Sequence, residues 1–268
     1  MKTKLILCDG DSWTAGDIVD PEIFGDQLEH VNHPDNRPYR LPRVWPHKLG
    51  KLLEVEVENY SVAASSNDAI VRRIVENVLD NLKRYDSSEV FVIIGWSSPE
   101  RKDFYFKGDW DGDFIESWET LYPAQYTQHE YLPNDDVKKF YDTYLKYFWH
   151  SEEYINRYVN QNLYLHYFLE SKGVRHLFFD AFYESKEVDM YDDYDFVDDL
   201  KDYKSKTNIM KEFINIRKRI FKDISFRKFL RKSNTGKFKK GLLDGYHPSE
   251  KGHDMWAGEL YKELKDKL

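Results

Sequence analysis

Lys4-Leu5-Ile6-Leu7-Cys8-Asp9-Gly10-Asp11-Ser12-Trp13-Thr14-Ala15-Gly16-Asp17 decides how the rest of the chain is read. Leu5 to Cys8 is an unbroken apolar run with no room for a helix, so it predicts a buried strand. Asp9-Gly10 stops that run with a turn signal. A serine follows at once, at the carboxyl end of the strand. In open α/β sheets that edge is where ligands bind and chemistry is done.

Outward from this stretch the chain alternates. Arg43 to Leu53 has helical spacing, with Val44, Leu49, Leu52 and Leu53 on one side. Glu54 to Ser61 predicts the second strand through Val55 and Val57. Ser65-Ser66-Asn67-Asp68 reads as a helix start, and the helix runs through Ile70, Ile74, Val78 and Leu82. Val90-Phe91-Val92-Ile93-Ile94-Gly95 is apolar throughout, as a parallel strand covered on both faces should be. Residues 135–171 predict helix with a break near His150-Ser151, and Gly173 suits the C-cap. Val174 to Asp180 is a further strand, and Ser249-Glu250 opens a last helix carrying Met255, Leu260 and Leu264. Strand and helix in turn predict a parallel sheet covered by helices on both sides. With 268 residues, one large α/β domain over 1–268 is expected.

Three segments break the pattern. Asp17 to Pro42 is polar and proline-bearing, long for a connection, and reads as lid loops. Residues 99–133 hold Trp110, Trp118 and several tyrosines, and read as an inserted aromatic-rich loop with a short hairpin. Residues 184–240 read as a charged insertion, acidic over 184–202 and basic over 217–240.

Composition narrows the function classes. Aromatics at 16% are too many for a disordered chain, even with 33% charged residues. A net charge of -8 argues against nucleic acid as a partner. The basic run is better matched to the acidic segment than to phosphates. The one cysteine, Cys8, excludes an intrachain disulfide and a cysteine-rich zinc site. It reads as a small buried apolar side chain. His30, His33 and His47 do not fall at metal-ligand spacing, so no metal and no cofactor is expected. With no signal peptide and no membrane-length apolar run read in the chain, a cytoplasmic location is expected. The sequence leaves the oligomeric state open.

A serine hydroxyl attacks only when a base takes its proton, and a carboxylate-oriented histidine is the usual base. Asp244 and His247 stand three apart in a glycine-containing turn, so one loop can present both to Ser12. His253, a turn into the last helix, is a rival base.

Gly10-Asp11-Ser12 after the first strand, Asp244-x-x-His247-Pro248 before the last helix and the α/β alternation between them together resemble the SGNH (GDSL-type) hydrolase superfamily. The wording around Ser97 is similar to a branch found in tailed-phage genomes. The resemblance implies a three-layer α/β/α fold with a parallel sheet, flavodoxin-like in class. It implies a serine ester hydrolase with Ser12 as nucleophile, His247 as base and Asp244 as its carboxylate. The oxyanion donors would be the Ser12 and Ala64 backbone N–H groups, Ala64 standing where the family has glycine. Ser97 aligns with the family's oxyanion asparagine. Asn67, Trp13, Trp96 and Arg101 are candidate substrate-binding residues, and a small-molecule or glycan ester is the expected partner. The altered blocks at Ala64 and Ser97 keep a second expectation open: a catalytically silent module of the same fold that binds a glycan or a protein.

Overall fold

The structure, a computed structural model, describes residues 2–25, 27, 30–110, 113–122, 135–181, 207–233, 243–244 and 247–268. The acidic segment 184–202 and residues 234–240 of the basic run lie outside them.

Four strands make one parallel sheet: β1 (Leu5–Asp9), β2 (Glu56–Asn59), β3 (Val90–Trp96) and, last in the chain, β6 (Arg175–Asp180). Their order is β2-β1-β3-β6. Leu5 is in register with Glu56 on one side and Val90 on the other, and Val92 with His176. All four therefore end at one edge.

Strand parity sorts the core into two halves, because successive side chains point to opposite faces. Leu5, Leu7, Val90, Val92, Ile94, Trp96 and Phe178 face one way. There they meet α5 (Asn67–Asn81), α7 (Ser151–Ser171) and α8 (Asn208–Ile220). Ile6, Cys8, Phe91, Ile93, Leu177 and Phe179 face the other way. They meet α4 (Trp45–Leu53), α9 (Phe226–Lys232) and α10 (Glu250–Leu264). Each fully buried aliphatic side chain contributes about 1.5–3 kcal/mol. Both faces are needed to hold the sheet, and the result is the three-layer α/β/α fold expected from the alternation.

The helix starts follow the sequence signals. Ser66 Oγ accepts from the Ala69 N–H at the start of α5, and Ser249 Oγ accepts from the Gly252 N–H at the start of α10. The break near His150 separates α6 (Asp135–Tyr147) from α7.

The segment after Ser12 is not an open loop. It contains three one-turn helices, α1 (Ser12–Ala15), α2 (Pro21–Phe24) and α3 (Arg37–Arg40). Asn36, fully buried, binds them together: it accepts from the Asp20 N–H at 2.9 Å and donates to the Ile18 and Val31 carbonyls.

Residues 102–121 form an antiparallel hairpin, β4 (Lys102–Trp110) and β5 (Asp113–Leu121). Asp103 fastens it to α5 by accepting from Ser66 and from Arg72 at 2.5 Å, and ties its two strands together by accepting from Thr120 at 2.8 Å. Two short strands near the end, β7 (Leu243–Asp244) and β8 (His247–Pro248), pair Asp244 with His247.

Candidate active site

Ser12 stands at the first position of α1, directly past the carboxyl end of β1. Asp11 caps that turn, its Oδ1 accepting from the Trp13 N–H at 3.0 Å. Gly10 permits the close approach: a Cβ there would lie 2.3 Å from Thr14 Oγ1 and 2.9 Å from the Gly95 carbonyl oxygen.

The late loop reaches this point. Ser12 Oγ is 2.9 Å from His247 Nε2, although the two residues are 235 positions apart. Ser12 is buried and His247 half-buried. The other ring nitrogen, Nδ1, lies 2.9 Å from Asp17 Oδ2. Hydroxyl, imidazole and carboxylate thus lie in line, each 2.9 Å from the next. The carboxylate in that line is Asp17, which sequence reasoning left among the lid residues. The Asp244 side chain lies outside the described residues; its backbone serves the turn that presents His247.

Ala64 has φ +66°, the left-handed region that a Cβ disfavours by about 1–2 kcal/mol. The loop holds it there. Val62 N–H donates to the Gly10 carbonyl, Ala63 N–H to Asn32 Oδ1, and Ser65 Oγ to the Val62 carbonyl. Among the described residues, no acceptor takes the backbone N–H of Ser12 or of Ala64.

Ser97 is placed differently from the expectation. Its hydroxyl donates to Asp11 Oδ2 at 2.8 Å and accepts from Arg101 Nη1 at 3.1 Å. A carboxylate can only accept, so the single hydroxyl proton is committed to Asp11 and not to an oxyanion. Asn67 is also turned inward. Its Oδ1 accepts from the Ser97 N–H at 2.8 Å and its Nδ2 donates to the Ser97 carbonyl at 3.1 Å. This pairing locks the start of α5 to the loop after β3. Arg101, buried as well, donates to Asp11, to Ser97 Oγ and to the Ser65 carbonyl, with its guanidinium 4.5 Å over the Tyr122 ring. It braces three loops from within.

Neither tryptophan offers a ring for a substrate to stack on. Trp96 is fully buried and packs edge-on to Phe178 and Tyr158. Its parity with Val92 and Ile94 puts it in the core. Trp13 is buried against Phe226 beneath the sheet's other face. His253 is fully buried too; its Nδ1 accepts from the Trp45 N–H, so it is a core residue and not a base.

A buried carboxylate also escaped sequence reasoning. Asp9, at the end of β1, takes two bonds from Arg73 of α5, Nη2 at 2.6 Å and Nε at 3.2 Å. Burial pushes its carboxyl up to about 6, against the pull of Arg73. The available signal was an arginine between Ile70 and Ile74 on a core-facing helix, which needs a buried partner. Among the described residues, no cluster of three or more His, Cys, Asp or Glu side chains is poised to hold a metal ion. No described helix is long and apolar enough to cross a membrane.

The model of one protein family matches residues 25–267. The chain belongs to DUF6071, a family of unknown function. The match covers His247 and begins after Ser12 and Asp17. No curated protein matches this DUF6071 chain. Among solved structures, a member of the lipolytic protein G-D-S-L family from Veillonella parvula DSM 2008 covers 99% of this chain and 100% of its own. Its identity is 13% and its TM-score 0.51. The psychrotrophic esterase EstA from Pseudoalteromonas sp. covers 98% and 97%, at 10% identity and TM-score 0.49. A variant of an acetyl-xylooligosaccharide esterase from Geobacillus Stearmophilus covers 97% and 94%, at 14% identity and TM-score 0.49. At 13% identity the Veillonella likeness is one of fold, and the α/β/α architecture of this DUF6071 chain is that of G-D-S-L proteins.

Proposed function

We propose that this DUF6071 protein is a serine ester hydrolase. One observation carries the reading: the Ser12 hydroxyl meets the His247 imidazole at 2.9 Å, at the carboxyl edge of the sheet. In this mechanism Ser12 Oγ attacks the acyl carbonyl while its proton passes to His247 Nε2. The new Oγ–C bond gives a tetrahedral oxyanion, held by the Ser12 and Ala64 backbone N–H groups. His247 returns the proton to the leaving alkoxide as the ester C–O bond breaks. Water, deprotonated by the same imidazole, then releases the acid and restores Ser12. An orienting carboxylate keeps His247 in the tautomer that leaves Nε2 free to accept.

The substrate we propose is an acyl ester of a polar alcohol, such as an acylated carbohydrate. Support comes from the hairpin anchored beside Ser66, which exposes the cross-strand pair Tyr105 and Trp118. Exposed aromatic rings next to polar groups suit the alternating apolar and hydroxyl faces of a sugar.

The decisive experiment is labelling with a serine-directed organophosphonate followed by peptide mass spectrometry. One adduct on Ser12 is expected, with none on Ser12→Ala, which should also lose at least about 10⁴-fold in turnover of a short-chain ester. A fully active Ser12→Ala protein would refute the reading.

The commitment of Ser97 to Asp11 favours a second reading, a silent module that binds a glycan through the same face. It predicts measurable glycan binding with no hydrolysis and no adduct.

A further inference from the structure

The segment after Ser12 carries two arginines on α3, Arg37 and Arg40, three positions apart and so on one side of the turn. Asn36 ties the start of that turn to Asp20 and Ile18. Arg37 Nη2 donates to the Asn59 carbonyl at 3.4 Å, at the carboxyl end of β2. Asn59 Nδ2 donates in turn to the Thr14 carbonyl, inside the turn that bears Ser12. The arginine turn is therefore held at the edge of the sheet where Ser12 stands.

Arg40 is 7% exposed, and its Nε and Nη1 meet no hydrogen-bond partner among the described residues. Arginine is almost never buried unless paired, because an uncompensated charge in the interior is costly. The neighbours sharpen the need. Burial first, and then the charge of Arg37, lower the Arg40 guanidinium from its usual range. The same two causes lower the imidazole of His47, in the first turn of α4, whose Nδ1 is also buried without a partner. Asp17 pulls the other way on Arg40, but its Oδ2 is turned to His247 Nδ1, 2.9 Å away. Two guanidinium groups and an imidazole thus gather beside the site with buried donors unfilled.

We infer that Arg40, with Arg37 and His47, binds an anionic group, a carboxylate or a phosphate, carried on the alcohol part of the ester. The anion site stands on the geometry alone; its assignment to the alcohol rests on the hydrolase reading above. A guanidinium presents a rigid fork of N–H donors that matches pairs of carboxylate or phosphate oxygens. The side of the substrate follows from the proton's path. His247 Nε2 takes the proton from Ser12 and hands it to the leaving oxygen, so the alcohol lies on the imidazole's side of Ser12. Arg40 lies on that side too, because Asp17, whose charge it feels, is next to the far nitrogen of the same ring. The acyl group is left to the other side.

The first test needs no turnover. Inorganic phosphate is titrated into the full chain by calorimetry, against sodium chloride of equal ionic strength as the control for screening. Wild type should bind phosphate, and Arg40→Met should bind it at least about tenfold more weakly. Arg37→Gln, a change at an exposed side chain, should bind it at least about threefold more weakly. In phosphate-free buffer the urea midpoint of Arg40→Met should equal or exceed that of wild type, since an unpaired buried charge has been removed. Wild type that binds no phosphate, or variants that bind it as wild type does, overturn the site. So does a lowered midpoint in Arg40→Met with phosphate binding unchanged in Arg37→Gln, which would make Arg40 a structural residue.

The second test compares the acetyl esters of para-hydroxybenzoate and of the uncharged para-hydroxybenzamide. The ratio of their kcat/KM values, charged over neutral, should be at least about tenfold lower in Arg40→Met than in wild type. If phosphate binds as expected and this ratio does not move, the anion is not part of the alcohol and that assignment falls. If wild type turns over neither ester, the hydrolase reading fails, while the phosphate titration still decides whether the cluster holds an anion.

Discussion

The loop after β1, residues 10–17, and the loop after β3, residues 97–101, leave adjacent parallel strands at the same edge of the sheet. The first aims its polar side chains at one imidazole: Ser12 meets Nε2 and Asp17 meets Nδ1. The second is closed on itself and its neighbours. Ser97 bonds through its N–H, carbonyl and hydroxyl to Asn67 and Asp11, and Arg101 ties Asp11 to Ser65. Each loop carries a buried serine, and the neighbour decides what that serine can do. Beside an imidazole a hydroxyl can lose its proton. Beside an ionised carboxylate it can only donate a hydrogen bond. The second loop thus acts as the frame that holds Asp11, and through Asp11 the turn bearing Ser12.

Breaking the frame gives the largest stability effect. Arg101→Met removes the cation nearest Asp11 and leaves the Ser65 carbonyl short of a donor. Loss of one partner from a buried pair costs about 3–5 kcal/mol, to be read from urea unfolding. A change below about 1 kcal/mol would mean that the two loops do not depend on each other.

Acid should act on the first loop from beneath. His253 lies under Gly16, its Nδ1 accepting from the Trp45 N–H at 3.3 Å. Burial above all, then Lys48 and His247, lowers it to about 3. The unfolded chain takes up this proton near pH 6.5, and the folded chain does not until far lower. Stability is therefore fully present above pH 6.5 and falls as the pH drops. Between pH 6.5 and 5 this one ring accounts for about 2 kcal/mol. His176, held at about 4 chiefly by burial, adds a loss of the same sign. The urea midpoint should drop over that interval, with the His253 ring protons unshifted in NMR down to pH 5. A His253 signal that titrates near pH 6.5 would show that the loop does not seal it.

Much of the frame was legible in the sequence because hydrophobic period and chain punctuation are local. The run Leu5–Cys8, the strand from Val90 and the serines capping α5 and α10 each state their structure within a few residues. Trp96, expected at the substrate, is in the core instead, and the signal was there: alternation from Val90 assigns it to the face of Val92 and Ile94. The place of Asp17 beside His247 was not legible, because it depends on one glycine with a positive φ and on Asn36 nineteen positions later. Neither leaves a periodic trace. Ser97 was misread for a related reason. Aligning it with the family's asparagine fixes its position on the loop, but not that Asp11 and Arg101 would claim its hydroxyl.

The smallest expected effect separates the two serines most sharply. Ser97→Ala deletes a hydroxyl that donates to Asp11 and accepts from Arg101, while Asp11 keeps the Trp13 N–H and the Arg101 guanidinium. A hydrogen bond to a charged group is worth about 1.5–3 kcal/mol, and the remaining partners should hold the loss to the lower end. Turnover should fall by less than about tenfold, with no change in the site of phosphonate labelling. An oxyanion donor behaves otherwise: its removal costs about 10²–10³ in kcat, with stability nearly untouched. Measuring kcat and the urea midpoint on the same Ser97→Ala protein distinguishes a brace from a donor. A hundredfold fall in kcat at constant midpoint would make the second loop part of the chemistry, and the contrast between the loops would collapse.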